Sequence, residues 1–93
     1  MRSVRLIIHG RVQGVGYRAW FAETARTEGL AGWVRNRRDG TVEALICGAP
    51  DRVDHVIAIA RKGPTEASVR DVATIDAEPE ANLTSEFAVR ATD

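Results

Sequence analysis

Apolar and polar positions alternate at the start of the chain: Val4, Leu6 and Ile8 fall on one side of a short run. A period of two predicts a β-strand over Val4 to Ile8. His9 to Gly16 breaks the run with three glycines. From Tyr17 to about Glu28 the spacing becomes helical. Tyr17, Trp20, Phe21, Thr24 and Ala25 share one stripe, and Gly29 is a good stop. Glu28 interrupts that stripe in its last turn, so this end is expected to fray or face outward. Trp33 to Arg37 and Thr41 to Cys47 read as two strands around Arg38-Asp39-Gly40, a hairpin turn in which glycine supplies the positive φ. Pro50 suits a first helical residue. Val53, Val56, Ile57 and Ala60 then recur at helical spacing and predict a second amphipathic helix, ended by Gly63-Pro64. Ser68 to Ile75 is a further strand, Glu78 to Ser85 a polar loop, and Phe87 to Arg90 a short last strand.

The predicted order is β-α-β-β-α-β with an extra short strand. That is the split βαβ, ferredoxin-like pattern: an α+β sandwich with two helices on one face of an antiparallel sheet. At 93 residues and 44% apolar content, the chain is expected to form one domain over residues 1–93 without metal or disulfide staples. Cys47 is the only cysteine, so no internal disulfide is possible. No apolar run approaches membrane-spanning length. Met1-Arg2-Ser3 leads into a strand rather than a signal peptide. The expectation is a cytoplasmic monomer. The fold pattern by itself says little about function, because many unrelated activities use it.

The formal net charge is zero, which argues against a general nucleic-acid binder. Its distribution is uneven. Residues 1–38 carry eight Arg against Glu23 and Glu28, for +6; residues 39–93 carry five basic and eleven acidic residues, for −6. A basic half attracts anions if the fold gathers those arginines. On charge alone, a solvated and self-complementary surface is the simpler reading.

The informative segment is Gly10-Arg11-Val12-Gln13-Gly14-Val15-Gly16-Tyr17-Arg18. Glycines allow successive backbone N–H groups to converge on an anion, and the helix that follows adds free N–H groups and a partial positive charge. Arg18 lies in the first turn, where a cation opposes the helix dipole. An anion in the loop would make sense of it, since the guanidinium fork can take two phosphate oxygens. A tight turn with a solvated arginine also fits the residues. The loop is neither a Walker A loop nor G-x-G-x-x-G. Asn36 is the second oddity, because Asn is poor in strand interiors. Either the strand ends or bulges there, or the amide has work to do. An amide can orient a water without adding charge beside a phosphate.

Together these segments resemble the acylphosphatase family. Gly10-x-Val12-Gln13-Gly14-Val15-x-Tyr17-Arg18 matches its first signature. Gly32-Trp33-Val34-Arg35-Asn36-x-x-Asp39-Gly40-Thr41-Val42-Glu43 matches its second, at the expected separation. Gly63-Pro64 with Ala67-x-Val69 looks like the family's link into its last long strand, so the similarity runs from about Val4 to Arg90. The resemblance implies hydrolysis of acyl phosphates to a carboxylate and inorganic phosphate. Phosphate would be bound by the loop over Gln13, Gly14, Val15, Gly16 and Tyr17 together with Arg18, and the nucleophilic water placed by Asn36. It implies no metal and no cofactor, a proton taken by the substrate phosphate itself, and inorganic phosphate or sulfate as competing anions. Glu28, and the long acidic stretch from Glu78 to Ser85, depart from the family pattern away from the site.

Other readings fit these residues less well. Cys47 as a phosphatase nucleophile would need a thiolate inside the phosphate loop, and it lies far along the chain on a predicted strand. His9 and His55 belong to no cluster with metal-ligand spacing. His9 fits a role beside the loop, and His55 falls on the polar side of the second helix. A ferredoxin-like binding module would bind RNA through paired aromatics on the sheet, where the central strands instead offer Ile7, Leu45 and Cys47. A regulatory, non-catalytic domain is the remaining alternative, since acylphosphatase-like domains occur within larger proteins. A chain that stops after one domain favours the free enzyme.

Overall fold

The computed structural model describes residues 1–78, 80 and 86–93. The elements are β1 (Arg2–Arg11), α1 (Tyr17–Thr27), β2 (Ala31–Asn36), β3 (Val42–Gly48), α2 (Pro50–Lys62), β4 (Ser68–Asp76) and β5 (Ala88–Val89). One five-stranded sheet has the order β4-β1-β3-β2-β5. The four long strands pair antiparallel, as expected of a ferredoxin-like sheet. β5 adds a parallel edge, with Trp33↔Ala88 and Val34↔Val89 in register. Most of the predicted Glu78 to Ser85 loop lies outside the described residues.

The period-two pattern decides which face each strand residue takes. Val4, Leu6 and Ile8 are fully buried beneath the helices. Across the sheet they oppose Ile46, Ala44 and Val42. Those three in turn oppose Gly32, Val34 and Asn36. Asn36 therefore ends a row that begins with Ile8 and Val42, on the helix-covered face. This parity makes sense of a polar residue in an apolar strand: its side chain is delivered to where β2 runs out beneath the start of α1.

The helices bury the faces their spacing predicts, with one rotation. α2 buries Val53, Val56, Ile57 and Ala60 as expected. α1 buries Tyr17, Phe21, Ala22 and Ala25, so Ala22 faces the core where Trp20 and Thr24 were expected. Trp20 instead sits half-buried at the margin, its ring 5.3 Å from that of Tyr17. The α1 end closes in a Schellman arrangement, with Leu30 N–H donating to Ala25 O and Gly29 N–H to Arg26 O. Glu28 does not fray or face out. Its carboxylate lies 3.1 Å from His55 Nδ1 and 3.6 Å from Arg52 Nη1, and so bridges α1 to α2.

The far face of the sheet carries a second, smaller cluster of Trp33, Leu45 and Cys47. Trp33 donates its indole N–H to Glu80 Oε1 at 3.0 Å. The guanidinium groups of Arg35 and Arg90 lie 4.9 and 4.7 Å from its ring centroid. Glu80 also holds Arg90 at 3.2 Å. On the helix side, Arg26 donates through Nε and Nη2 to Phe87 O, and the Phe87 ring lies 5.8 Å from that of Phe21, tilted by 45°, in the core. β5 is thus clasped from both faces, which is how a two-residue strand keeps its place.

Candidate active site

The glycine loop and the end of β2 meet in one cleft of about 230 Å³, lined by Val12, Gly14, Gly16, Tyr17, Arg18, Ala19, Asn36 and Val89. This is smaller than the roughly 300–1,000 Å³ of drug-sized pockets, as suits a small substrate. Gly16 caps α1 in the left-handed conformation, φ 77° and ψ 16°, which glycine adopts without steric cost. No side chain caps this end, and the first turn carries no acidic residue. The opening N–H groups of a helix have no intrahelical partner, so they stand ready for an anion. Arg18 adds its charge at the same end. Among the described residues it forms no ion pair or hydrogen bond.

Asn36 supplies the other side. Among the described residues, its side-chain oxygen is the one buried side-chain polar atom with no hydrogen-bond partner. A buried acceptor left unmade costs about 1–3 kcal/mol, so its presence in a cleft is a functional signal. The backbone of Asn36 is well tied: its carbonyl accepts from the Asp93 N–H at 3.0 Å. The strand is held firmly where Asn36 lines the cleft.

Gln13 and Val15 enter the site differently from the other predicted residues. The Gln13 side chain leaves the cleft and donates to Arg37 O at 2.7 Å and Thr41 O at 2.8 Å, latching the loop to the β2–β3 turn. Val15 packs against the core margin. What either can offer an anion is its main-chain N–H. Tyr17 lines the cleft at its helical position, but its ring is buried and its hydroxyl donates to Ala60 O at 2.9 Å. Burial pushes the phenol well above its ordinary value. The latched turn is itself braced by Asp39. Its carboxylate accepts from the Thr41 hydroxyl at 2.6 Å and the Thr41 N–H at 2.9 Å. Those bonds, helped by Arg37 and by nearby His9, hold the carboxyl below its usual value.

Three lining residues were not among the expected site residues: Val12, Ala19 and Val89. Val12 lies within the glycine segment and its signature, so the sequence offered a signal for it. Val89 could not have been found, because only the parallel pairing with β2 brings it here. Cys47 is buried on the far face, with the Ser3 hydroxyl 3.0 Å from its sulfur, and it lies at the end of β3 remote from Val42 and Asn36. That position removes it from the phosphate loop.

Fold and cleft together define a small ferredoxin-like domain with Arg18 and an uncapped helix start at one cleft. The Acylphosphatase family model matches residues 4–89. An acylphosphatase of Rhodopseudomonas palustris is 53% identical over 76 residues, covering 82% of this chain and 77% of that protein. One of Acidiphilium cryptum is 49% identical over 81 residues, covering 87% and 89%. The crystal structure of acylphosphatase from Bacillus subtilis superposes with a TM-score of 0.90 at 32% identity, covering 97% of this chain and 99% of that one. The chain belongs to the acylphosphatase family, hydrolases of acyl phosphates.

Proposed function

We propose that this chain hydrolyses acyl phosphates without a metal. The first-turn N–H groups of α1, the loop and Arg18 hold the phosphoryl group, and Asn36 places the attacking water. The observation that carries this reading is the shared cleft: Arg18, an uncapped helix start and Asn36 line one space, and among the described residues Arg18 has no partner and the buried Asn36 amide oxygen has none either. A carboxylate leaves readily without a strong acid, so the enzyme's task is positioning and charge stabilisation. The guanidinium fork and the N–H groups take up charge on the phosphoryl oxygens. The amide oxygen of Asn36 accepts one hydrogen of the water and turns its lone pair toward phosphorus.

None of the lining side chains is a base of suitable strength. Tyr17 is committed to Ala60 O and kept protonated, and the others are apolar, glycine, Arg18 or Asn36. The proton therefore passes to a phosphoryl oxygen of the substrate. Among the described residues, no group of three or more His, Cys, Asp or Glu could hold a metal ion. Among the described residues the exposed large apolar side chains are Met1 ahead of β1, Ile75 on β4 and Val89 on β5; this scatter supports a monomer. No helix among the described residues is long and apolar enough to cross a membrane, and cytoplasmic action on a small molecule is the corresponding reading.

The test is release of phosphate from acetyl phosphate or benzoyl phosphate by the purified protein, with and without EDTA. Equal turnover in both conditions is expected. Loss in chelator with recovery on adding a divalent ion overturns the metal-free reading, and no turnover in either overturns the function.

A further inference from the structure

We propose that Val89 and Ala19 seat the acyl part of the substrate, and that this enzyme thereby favours uncharged, apolar acyl groups over anionic ones. The inference rests on the roles of Arg18 and Asn36 given above. Val89 is 46% exposed, and among the described residues it is the one exposed large apolar side chain in the cleft. Single exposed apolar residues are ordinary on a protein surface. One held in the wall of a catalytic cleft is a different matter, because the substrate must touch it.

The position of Val89 is set by main-chain pairing. It stands opposite Val34, and the next residue's N–H donates to Val34 O at 2.9 Å. Val34 precedes Asn36 by one pleat, on the same face. Since β5 flanks β2 on the side away from β3, Val89 walls the cleft beyond Asn36. The clasp of Trp33, Glu80 and Arg90 holds that wall from the far face. Ala19, exposed in the first turns of α1, adds a second small apolar surface.

An acyl phosphate has two ends joined through one bridging oxygen. The loop, Arg18 and Asn36 claim the phosphoryl end. The substituent on the acyl carbon is left with the apolar wall. Charge along this edge points the same way. Asp93 follows β5 with its N–H on Asn36 O, and its carboxylate, 3.8 Å from Arg35, remains largely exposed. The neighbouring hollow is lined by Arg37, Arg38, Asp39 and Asp93, two cations and two acids. A tail bearing a carboxylate gains little there and meets Asp93.

The experiment compares kcat/KM for benzoyl, acetyl and succinyl phosphate in the parent, Val89→Ser and Val89→Lys, with inorganic phosphate as competitive inhibitor. Val89→Ser is expected to lower the benzoyl-to-acetyl ratio about 3–10-fold, the lower end of what a few apolar contacts contribute to specificity. Val89→Lys is expected to raise the succinyl-to-benzoyl ratio roughly tenfold, as an added charge near a carboxylate should. Phosphate inhibition constants should stay within about two-fold in Val89→Ser, since the phosphoryl end is untouched, and should tighten in Val89→Lys, where a cation is added to the cleft. Unmoved ratios, or a parallel fall on all three substrates together with weakened phosphate inhibition, overturn the proposal. A parent that hydrolyses none of the three fails the underlying reading instead.

Discussion

The hydroxyl of Tyr17, in the first turn of α1, donates a 2.9 Å hydrogen bond to the carbonyl of Ala60 in the last turns of α2. This bond fixes the end of α1 that faces the cleft. Tyr17→Phe leaves the Ala60 carbonyl without its partner in the core, at a cost of about 1–3 kcal/mol. Urea denaturation of the two proteins measures it. Tyr17 is also the only tyrosine, so its ionisation can be followed directly. Its folded-state value is raised, so the stabilisation is fully present below the unfolded value of about 10 and is lost as pH climbs through the folded value. In base, tyrosinate absorbance should appear only with unfolding, whereas the urea-unfolded chain titrates at about 10.

Arg18→Ala is expected to lower kcat/KM for acetyl phosphate by about 10²–10³, with the circular dichroism spectrum unchanged. Among the described residues, Arg18 has no hydrogen-bond or ion-pair partner to lose. Arg18→Lys should recover little, because an ammonium cannot reproduce the fork. Activity of Arg18→Ala within a few-fold of the parent would remove Arg18 from the mechanism.

Asn36→Ala and Asn36→Asp separate water placement from anion binding. Both should lose turnover. Asn36→Ala should keep phosphate affinity near the parent value, while Asn36→Asp puts a carboxylate beside the anion. Two unit charges about 4 Å apart repel by roughly 1–4 kcal/mol at effective dielectrics of 80 to 20, so Asn36→Asp should bind phosphate clearly more weakly. Calorimetry at neutral pH reads the difference, and equal affinity in the two variants places Asn36 away from the phosphate.

Gln13→Glu should harm the enzyme more than Gln13→Ala. The amide donates to two carbonyls of the β2–β3 turn. A carboxylate there can only face them as a third acceptor, which unlatches the loop. Losing two hydrogen bonds costs about 1–3 kcal/mol in either variant; repulsion adds to this in Gln13→Glu. Thermal denaturation and kcat/KM should fall together, and a Gln13→Glu protein as stable and active as Gln13→Ala would show that the latch has no bearing on the loop.

The local pattern carried most of the architecture. Val4, Leu6 and Ile8 announced β1 by alternation, and Val53, Val56, Ile57 and Ala60 announced α2 by helical spacing; both signals are properties of a single element. The pairing of Arg18 with Asn36 was legible through the two motifs, and the fold brings both to one cleft. Contacts between elements were not legible. Ala22 displaced Trp20 and Thr24 in the core because the rotation of α1 is set by Phe87 and the sheet beneath it. Glu28 looked like a loose end until α2 supplied Arg52 and His55. Gln13 read as a loop residue like its neighbours, whereas its two acceptors lie on the hairpin. Val89 joined the site through a parallel pairing that no periodicity reveals.

The pairing scheme also sets when the cleft comes into being. β4 meets β1 from Val4↔Asp76 to Arg11↔Ser68, and β5 meets β2 through Val34↔Val89. Both contacts close long loops, whose entropy must be met before the pairing gives anything back, so this topology folds slowly for its length. Gly14 to Arg18 follow β1 while Asn36 ends β2, and the two come together only when both strands have paired with β3. The proposed anion seat is complete only after that sheet has closed. An anion that binds the finished protein stabilises it by mass action but finds no complete seat on the way there. Inorganic phosphate should therefore lengthen the lifetime of the folded chain and leave its refolding rate as it was.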